Sequence, residues 1–478
     1  MRTNRNIAAL AVIAALASPL AGATGAVEYS HDGRGGALIV PIWSIGVGTN
    51  AIDESTDSLL TLTNHANVPV AVKVRVIELQ GAEAASFNIY LGGGDAFAAA
   101  LSVDADDPGQ AELLTRDGSC VIPGLEAFEG SDLQRLTLSG IAEGGIIEII
   151  EMGRAAPDSG LVRHSEDPRS DLDQWIDCAT LTARFDGAWQ TDPADGLLPP
   201  SGNLSADVQL LDVFAGADAS FAATAIGGFS DIVQHTPPGA EAPSLATAHA
   251  TDTDSGTTMS RVCTRSSCRD FEWDHPIDAV ASVLTTRALF GEVVVNPGIG
   301  AATELVITHP LARFNVDSGS GATAEPRLWL HDRDGAPVVP AGAPPLSPPP
   351  PKGTPVALPP AGPGETLQVF PFSAEQGGGF SPSGGSALLG LPVAEAFSLD
   401  GTGAVAARAE IEFVQTAEKM LVSRGGYVFE GLPVIGFIVR QFANGTLEFP
   451  ADSGQRVLAN YRASELMSRR RAVRRLNP

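Results

Sequence analysis

The chain is poor in lysine and in aromatic residues. Of its 478 residues only Lys73, Lys352 and Lys419 are lysine, and aromatic side chains make up 6%. Asp and Glu number 56 against 30 Lys and Arg, which gives a formal net charge of -26 at pH 7. Such an acidic chain repels a phosphate backbone, so nucleic acid is excluded as a partner for the body of the protein. Self-repulsion of the acidic surface favours solubility instead.

Sequence motifs of several enzyme classes are missing. No serine has glycine at both second-neighbour positions, as the G-x-S-x-G turn of common serine hydrolases requires. No two histidines stand four residues apart, as they do on a zinc-protease helix, and LGGGDAF at 91–97 lacks the lysine of a phosphate-binding loop. We therefore assign no catalytic and no cofactor-binding residues. Glycoside hydrolysis stays open, because it needs only two suitably separated carboxylates.

Only four cysteines are present, and their spacing does not match the ligand pairs of a zinc site. Cys263 and Cys268 are near enough in sequence to close a small loop, which leaves Cys120 and Cys178 as the second pair. Three connectivities exist for four cysteines, and proximity favours this one. Disulfides of this kind are typical of an oxidising, exported compartment.

The first 23 residues have the pattern of a secretory signal peptide. Arg2 and Arg5 precede the apolar run IAALAVIAALA, and small residues follow at 21–23. No later segment reaches the ~20 apolar residues of a membrane helix. We expect an exported protein with no transmembrane segment after signal cleavage, located in the periplasm, at the outer cell surface or outside the cell.

Short apolar or alternating runs separated by Gly, Pro, Asn and Asp predict an all-β fold of antiparallel strands. In VAVKVRVIE at 70–78 the valines point to one side, while Lys73 and Arg75 point to the other. This alternation predicts a sandwich strand with one buried face and one wet face. The clearest runs are at 36–43, 58–64, 70–79, 85–91, 144–153, 205–216, 282–296, 303–310, 327–339, 365–372, 404–414 and 434–442.

The length predicts two cores, since single domains rarely grow beyond about 250 to 300 residues. We expect both domains to be β-sandwiches, Ig-like in general character. The segment between them is rich in Pro, Thr, Ser and Asp, which is typical of a long connection. The predicted divisions are a signal peptide at 1–23, an N-terminal sandwich at 24–235, a linker with a disulfide loop at 236–275, a C-terminal sandwich at 276–450 and an Arg-rich tail at 451–478.

Two biased segments lie in the second half. Residues 336–364 are rich in proline, which cannot donate ladder hydrogen bonds, so we predict a surface loop; a docking tract is the alternative. SELMSRRRAVRRLNP at 464–478 predicts a short C-terminal helix. Its arginines can bind anionic lipid, a glycan or the protein's own acidic face, or they can form a solvated terminus. The possible binding tail consists of Arg469, Arg470, Arg471, Arg474 and Arg475.

The high content of Asp and Glu suggests calcium as a possible ligand, because hard cations prefer clustered carboxylate and carbonyl oxygens. DADDPGQAELLT at 104–115 places Asp104, Asp106 and Gly109 as in an EF-hand loop. Pro108 then stands at the fifth position, where a ligand belongs. Calcium therefore lacks a complete motif, and the metal-binding residues remain unknown.

Several segments together resemble a family of uncharacterised secreted, strand-rich proteins of proteobacteria. The resemblance rests on LIVPIWS, DSLLTLTNHANVPVAVKVRVIE, SFNIYL with GGGDAFAAAL, TELVITHPLARF, LPVIGFIVRQFANGTL and VLANY. It covers most of the chain after the first 23 residues but includes no catalytic motif. It implies a secreted, strand-rich protein with no assigned activity and no site residues to carry over.

The sequence thus favours an exported non-catalytic binding or structural protein, recognising an unknown protein or glycan at the cell surface through loops and strand edges. The alternative is a carbohydrate-active hydrolase with a carboxylate pair on a β-sandwich. A deep acidic cleft with aromatic walls would favour the hydrolase. An assembly subunit that accepts a neighbour's strand at an exposed edge is a third hypothesis.

Overall fold

The computed structural model describes most of the chain after residue 24. The predicted signal peptide at 1–23 and residues 339–354 of the Pro-rich segment lie outside the described residues. The described ranges are 25–45, 56–104, 107, 110–127, 131–139, 143–164, 172–213, 216–251, 256–264, 267–314, 325–338, 355–373, 388–399, 405–415, 420–448 and 456–476.

The described chain is dominated by strands, as the sequence predicts, with three short α-helices. The helices are α1 Cys178–Phe185, α2 Ala188–Thr191 and α3 Pro276–Leu284. The first strands are β1 Val27–Tyr29, β2 Ala37–Ser44, β3 Thr56–Asn64, β4 Val70–Glu78, β5 Glu83–Leu91, β6 Ala96–Val103, β7 Ala111–Thr115, β8 Cys120–Ile122, β9 Glu126–Ala127, β10 Gln134–Thr137, β11 Gly144–Ala155, β12 Val162–Arg163, β13 Gln174–Trp175, β14 Leu197–Leu198, β15 Leu204–Asp212, β16 Ala217–Ala222, β17 Thr224–Gly227, β18 Thr258–Cys263 and β19 Cys268–Trp273. Those that follow α3 are β20 Thr285–Thr286, β21 Ala288–Val295, β22 Ala302–Thr308, β23 Glu325–His331, β24 Val356–Ala357, β25 Leu367–Ser373, β26 Phe397–Ser398, β27 Val405–Val414, β28 Leu421–Val422, β29 Tyr427–Glu430, β30 Leu432–Pro433, β31 Ile435–Glu448, β32 Arg456–Leu466, β33 Ser468–Arg470 and β34 Ala472–Arg475.

Two large sheets form the first sandwich. A ten-stranded sheet has the order β19, β18, β1, β17, β2, β11, β4, β5, β8, with β14 beside β11, and a seven-stranded sheet has the order β16, β15, β3, β6, β7, β10, β9. Their inner side chains share one apolar cluster, which includes Val74 and Ile149 from one sheet and Leu60 and Phe97 from the other. Alternating apolar residues explain this packing, because every second side chain of a strand points inward.

The second sandwich is built from two five-stranded sheets. We call the sheet with the order β24, β23, β27, β21, β33 the groove sheet; its partner has the order β26, β25, β22, β31, β32. Val293, Leu330 and Ile411 of the groove sheet pack against Ile307 and Phe370 of the partner sheet. Pairings between described strands are antiparallel except those of β1 with β18 and β25 with β26.

The two sandwiches are in direct contact. The apolar cluster of the first sandwich takes in Val306 and Phe437 of the second. The rings of Phe221 and Phe437 meet edge to face with centroids 5.5 Å apart. Thr308 Oγ1 donates to the carbonyl of Pro41 at 2.8 Å. Buried apolar area is therefore shared across the junction, and it contributes to the stability of both halves.

The prediction of a wet face on β4 is wrong. Lys73 and Arg75 are 0% and 2% exposed, because the segment 235–250 lies over this face of the ten-stranded sheet. Lys73 Nζ donates to the carbonyl of Pro237 at 2.7 Å, and Arg75 Nε donates to the carbonyl of Pro243 at 3.2 Å. Burial of these cations is tolerated because backbone carbonyls accept their hydrogen bonds.

The stretch predicted as a linker, 236–275, contains regular structure. Besides the covering segment, it supplies β18 and β19, which form a hairpin at the edge of the ten-stranded sheet. β18 pairs in parallel with β1, so the beginning of the described chain and this hairpin share one sheet. The Pro and Ser content reflects the covering segment and its turns, and the alternation in TMSRVC marks the strand.

The prediction of a C-terminal helix is wrong. The arginine-rich end forms β33 and β34, which pair with β21 and β29 respectively. Helix propensity is a weak preference, and tertiary pairing with two existing strands overrides it. Part of the Pro-rich segment is also structured, since β24 pairs with β23 and Leu358 is buried.

Both predicted disulfides are confirmed. Cys120 and Cys178 join β8 to the start of α1 with Cα atoms 5.3 Å apart. Cys263 and Cys268 close the β18–β19 hairpin, where they stand opposite one another in the register. The pairing follows the sequence proximity from which it was predicted.

Candidate ligand-binding groove

The outer face of the groove sheet carries charged and aromatic side chains. Its inner residues alternate with them along each strand and fill the core, as the period of a strand requires. Cross-strand pairing therefore aligns the outward side chains into rows. One row contains Phe290, Glu410 and Trp329, and the next contains Glu292, Arg408 and His331.

This face forms an open groove of about 800 Å³. β33 borders it beside β21, and the turn at 332–335 borders it after β23. Asp332 accepts hydrogen bonds from the backbone N–H groups of Asp334 and Ala336, at 3.0 and 2.7 Å. The HDRDG segment therefore forms a hairpin turn, as its Asp and Gly residues favour. The Asp332 carboxylate stabilises that turn by accepting these two hydrogen bonds.

Two arginines approach the ring of Phe290. The Cζ atoms of Arg408 and Arg470 lie 5.0 and 5.2 Å from its centroid, within the range of cation–π contacts. Arg470 also donates to Glu410 at 2.8 Å. Arg408 is exposed and forms no ion pair with any residue that the structure describes. Two guanidinium groups in the groove are therefore available to an anion, that of Arg408 and that of Arg333, which is exposed on the bordering turn and also has no ion pair among the described residues.

Trp329 differs from the other tryptophans of the chain. It is half-buried, and its ring is stacked with that of His331, with centroids 6.5 Å apart and planes inclined by 10°. The remaining four, Trp43, Trp175, Trp189 and Trp273, are at most 6% exposed, and each donates an indole N–H hydrogen bond. The groove sheet thus carries the one partly exposed tryptophan.

The tail arginines mostly bind the protein itself. Arg469 and Arg471 lie over the ring of Tyr29 on β1, at 3.6 and 5.9 Å from its centroid. Arg471 also donates to the carbonyls of Cys263 and Val283. Burial lowers the pKa of Arg471 to about 9. These two side chains therefore tie the last strands to the first sandwich.

Of the other three tail arginines, Arg470 lies on the groove sheet, and Arg474 and Arg475 lie on a separate three-stranded sheet of β28, β29 and β34. Arg474 pairs with Glu430 at 2.8 Å, and Arg475 lies over the ring of Tyr427. Only Arg470 projects its side chain towards Phe290 in the groove. Arg470 and Arg474 pair with the carboxylates of Glu410 and Glu430, whereas the other tail arginines contact aromatic rings and backbone carbonyls.

A buried charge cluster occupies the junction between the sandwiches. Arg75 and Arg313 lie 3.5 and 3.7 Å from the Glu148 carboxylate, and both also contact Glu83. Burial raises the pKa of Glu148, and the two guanidinium groups oppose that rise. The cluster balances two positive and two negative charges, which makes it a structural element rather than an accessible site.

Lys73 also lies outside any accessible site. Burial lowers the pKa of its amine to about 7, a value that would suit a nucleophile. The side chain is fully buried and bonded to the Pro237 carbonyl, so a substrate cannot reach it.

A second cleft of about 430 Å³ lies beside the Cys120–Cys178 disulfide. Its acids serve as turn and helix caps: Asp117 accepts from Ser119 N–H, and Asp177 accepts from Thr180 N–H at the start of α1. The aromatic rings at its wall are almost fully buried. It therefore lacks the aromatic surface that the hydrolase hypothesis expects.

No group of three or more His, Cys, Asp or Glu side chains suited to a metal ion occurs within the described ranges. The EF-hand-like segment falls partly outside those ranges, at 105–106 and 108–109. Calcium binding there stays a prediction.

Sequence reasoning missed the groove. RLWLH and ARAEIEF alternate like any half-buried strand, and nothing in either run distinguishes a recognition face from a solvated one. Register alone brings Arg408 next to His331 and Phe290 next to Glu410. The one available signal was the tryptophan in an otherwise regular alternation.

In the described part of the chain, none of the helices combines the length and the apolar character needed to cross a membrane. No protein-family model matches the chain, and no curated protein matches it. The resemblance to secreted proteobacterial proteins stays a prediction.

Proposed function

We propose that the protein is an exported, non-catalytic binding protein that recognises an anionic partner through the groove. The observation that carries the proposal is the exposed guanidinium of Arg408, beside Phe290 and without a carboxylate partner among described residues. A guanidinium presents up to five donors in a fork that matches a carboxylate, so an unpaired one in a groove favours anion recognition.

Export is supported by the signal-like pattern at 1–23 and by the two disulfides, which persist in oxidising compartments. The Ig-like character of each sandwich and the two-domain division are part of this proposal. So is membership of a secreted, strand-rich group of proteobacterial proteins.

A hydrolase is the second candidate, because Glu292 and Glu410 are diagonal neighbours on β21 and β27. Arg470 already holds Glu410, and the groove is open along the sheet. A general acid needs a shielded environment that raises its pKa. Binding is therefore better supported than hydrolysis. If the protein released shorter fragments from a sugar substrate and Glu410→Gln stopped that release, hydrolysis would become the better-supported function.

Strand addition by a neighbouring subunit is not supported at the edge of β21. Thr303 Oγ1 bonds both the N–H and the carbonyl of Val294, at 2.9 and 2.8 Å. Arg440 Nε donates to the carbonyl of Glu292 at 3.1 Å. These side chains occupy backbone groups that an incoming strand would use.

The test is a pull-down from outer-membrane and culture-supernatant fractions with immobilised protein from residue 24 onwards. Deleting 464–478 is unsuitable, because it removes β33 and β34 and uncovers Tyr29. Arg408→Gln is the informative variant, and Arg116→Gln is its control, an exposed arginine on the first sandwich. We expect the captured anionic material to fall at least fivefold with Arg408→Gln alone. Equal capture by all three proteins would refute recognition through the groove.

A further inference from the structure

We infer that the ligand of the groove is a short oligosaccharide carrying carboxylates, of the uronate type. This inference rests on the proposed function and names its ligand class. It combines an available guanidinium with an aromatic surface on one sheet face, the two features that a charged sugar ring requires.

The aromatic part of the surface is formed by Trp329 and His331. Their ring planes are nearly parallel, and the partly exposed Trp329 adjoins His331, which lines the groove. A sugar ring presents C–H groups from one side and packs against such a face, burying apolar area. Phe290 is less suited to this role, because two guanidinium groups already lie against its ring.

The charged part is next to it. Arg408 stands directly opposite His331 in the register, so a ring packed on the aromatic pair brings its carboxylate to this guanidinium. Arg470 lies a similar distance from the same Phe290 centroid but is bonded to Glu410, whereas the exposed Arg333 of the bordering turn is open to a second carboxylate along the oligosaccharide. The exposed carboxylate of Glu292, opposite Arg408 on the other side, can accept hydrogen bonds from sugar hydroxyls.

Size and charge favour a short glycan over a larger polyanion. The groove volume of about 800 Å³ lies within the range of small-ligand sites. The formal charge of -26 repels an extended acidic protein or nucleic acid along its whole length. Repulsion is screened beyond about 8 Å at physiological salt, so a ligand confined to the groove avoids most of it.

The test is calorimetric titration of the mature protein with trigalacturonate. Its fully methyl-esterified form keeps the sugar rings and removes the charge, and a tri-glutamate peptide keeps the charge and removes the rings. We expect trigalacturonate to bind at least tenfold more tightly than either. Arg408→Gln and Trp329→Ala should each weaken binding about tenfold, since each removes one half of the recognition. Arg116→Gln should leave it unchanged.

Tryptophan fluorescence provides a second measurement. Four of the five tryptophans are buried, so a ligand-induced change must come mainly from Trp329 and should disappear in Trp329→Phe. Circular dichroism melts confirm that each variant is folded.

The outcomes separate the two proposals. Equal affinity for trigalacturonate and its methyl ester, or for wild type and Trp329→Ala, overturns the glycan inference. If pull-down capture still depends on Arg408 in that case, the binding function survives with another anionic ligand. If neither titration nor capture depends on Arg408, both proposals fail.

Discussion

β4 and β27 have the same alternating pattern and opposite surroundings. On β4 the outward cations Lys73 and Arg75 are buried beneath the covering segment 235–250 and bonded to its carbonyls. On β27 the outward cation Arg408 is exposed in an open groove. A charge on the outer face of a strand is therefore a structural anchor where another segment covers it and stays open to solvent where none does.

The largest effect is expected from Arg75→Ala. The substitution leaves the fully buried Glu148 carboxylate with only Arg313 as a nearby cation and frees the carbonyls of the covering segment. Removing one partner of a buried ion pair typically costs about 3 to 5 kcal/mol of unfolding free energy. Denaturant unfolding at pH 7 measures this loss. A loss below about 1 kcal/mol would show that the covered face does not depend on its cation.

A second effect is expected on acidification. Burial lowers the pKa of His235 to about 4, and its ring lies between the Tyr90 hydroxyl and the Pro193 carbonyl, at 2.7 and 2.9 Å. Unfolding releases a ring with an ordinary pKa near 6.5. The stability from the neutral ring is thus fully present above about pH 6.5 and is lost as the pH falls through about 4, up to about 3 kcal/mol.

Unfolding free energies measured from pH 7.5 to 4 check this expectation. His235→Phe should flatten the slope between pH 6.5 and 4, whereas the exposed His164→Asn serves as the control. An unchanged slope in His235→Phe would mean that another group, such as the buried His309, carries the acid sensitivity.

A smaller loss is expected from Arg471→Gln, which separates the last strands from the first sandwich. The variant loses charged hydrogen bonds to the carbonyls of Cys263 and Val283 and the contact with Tyr29. Charged hydrogen bonds contribute about 1.5 to 3 kcal/mol, so we expect a loss near 2 kcal/mol in denaturant unfolding. Arg475→Gln, on an exposed neighbour, should cost much less. Equal effects of the two variants would contradict a specific tie at Arg471.

The smallest stability effect is expected from Arg408→Gln, on the open face. Its side chain is exposed and unpaired among described residues, so unfolding free energy should change by less than about 0.5 kcal/mol. The same substitution should abolish most anion binding. A large stability loss would place Arg408 with the structural cations of β4 and remove the contrast between the two faces.

Most strands could be predicted from the sequence. The alternation in SLLTLTN and VAVKVRVIE recurs as β3 and β4, and the disulfide pairing follows from cysteine proximity. The prediction of one strand over 282–296 is partly wrong, because its first three residues form the end of α3 and β21 begins only at Ala288. The prediction of a C-terminal helix is wrong because arginine favours helices only through a local preference. The conformation of the tail is determined instead by its pairing with two strands, β21 and β29, that are far away in sequence.

The sequence by itself determined an acidic, strand-rich, disulfide-bonded chain, because composition, period-two alternation and cysteine spacing are local properties. Only the tertiary structure decided which polar faces are covered, which arginines are bonded internally and which side chains share the groove. Those outcomes depend on strand register and on segments more than a hundred residues apart, as in the contact of Arg75 with Pro243 and the pairing of Phe290 with Glu410. Local patterns carry no record of such contacts, so the candidate site emerges only when the sheets are assembled.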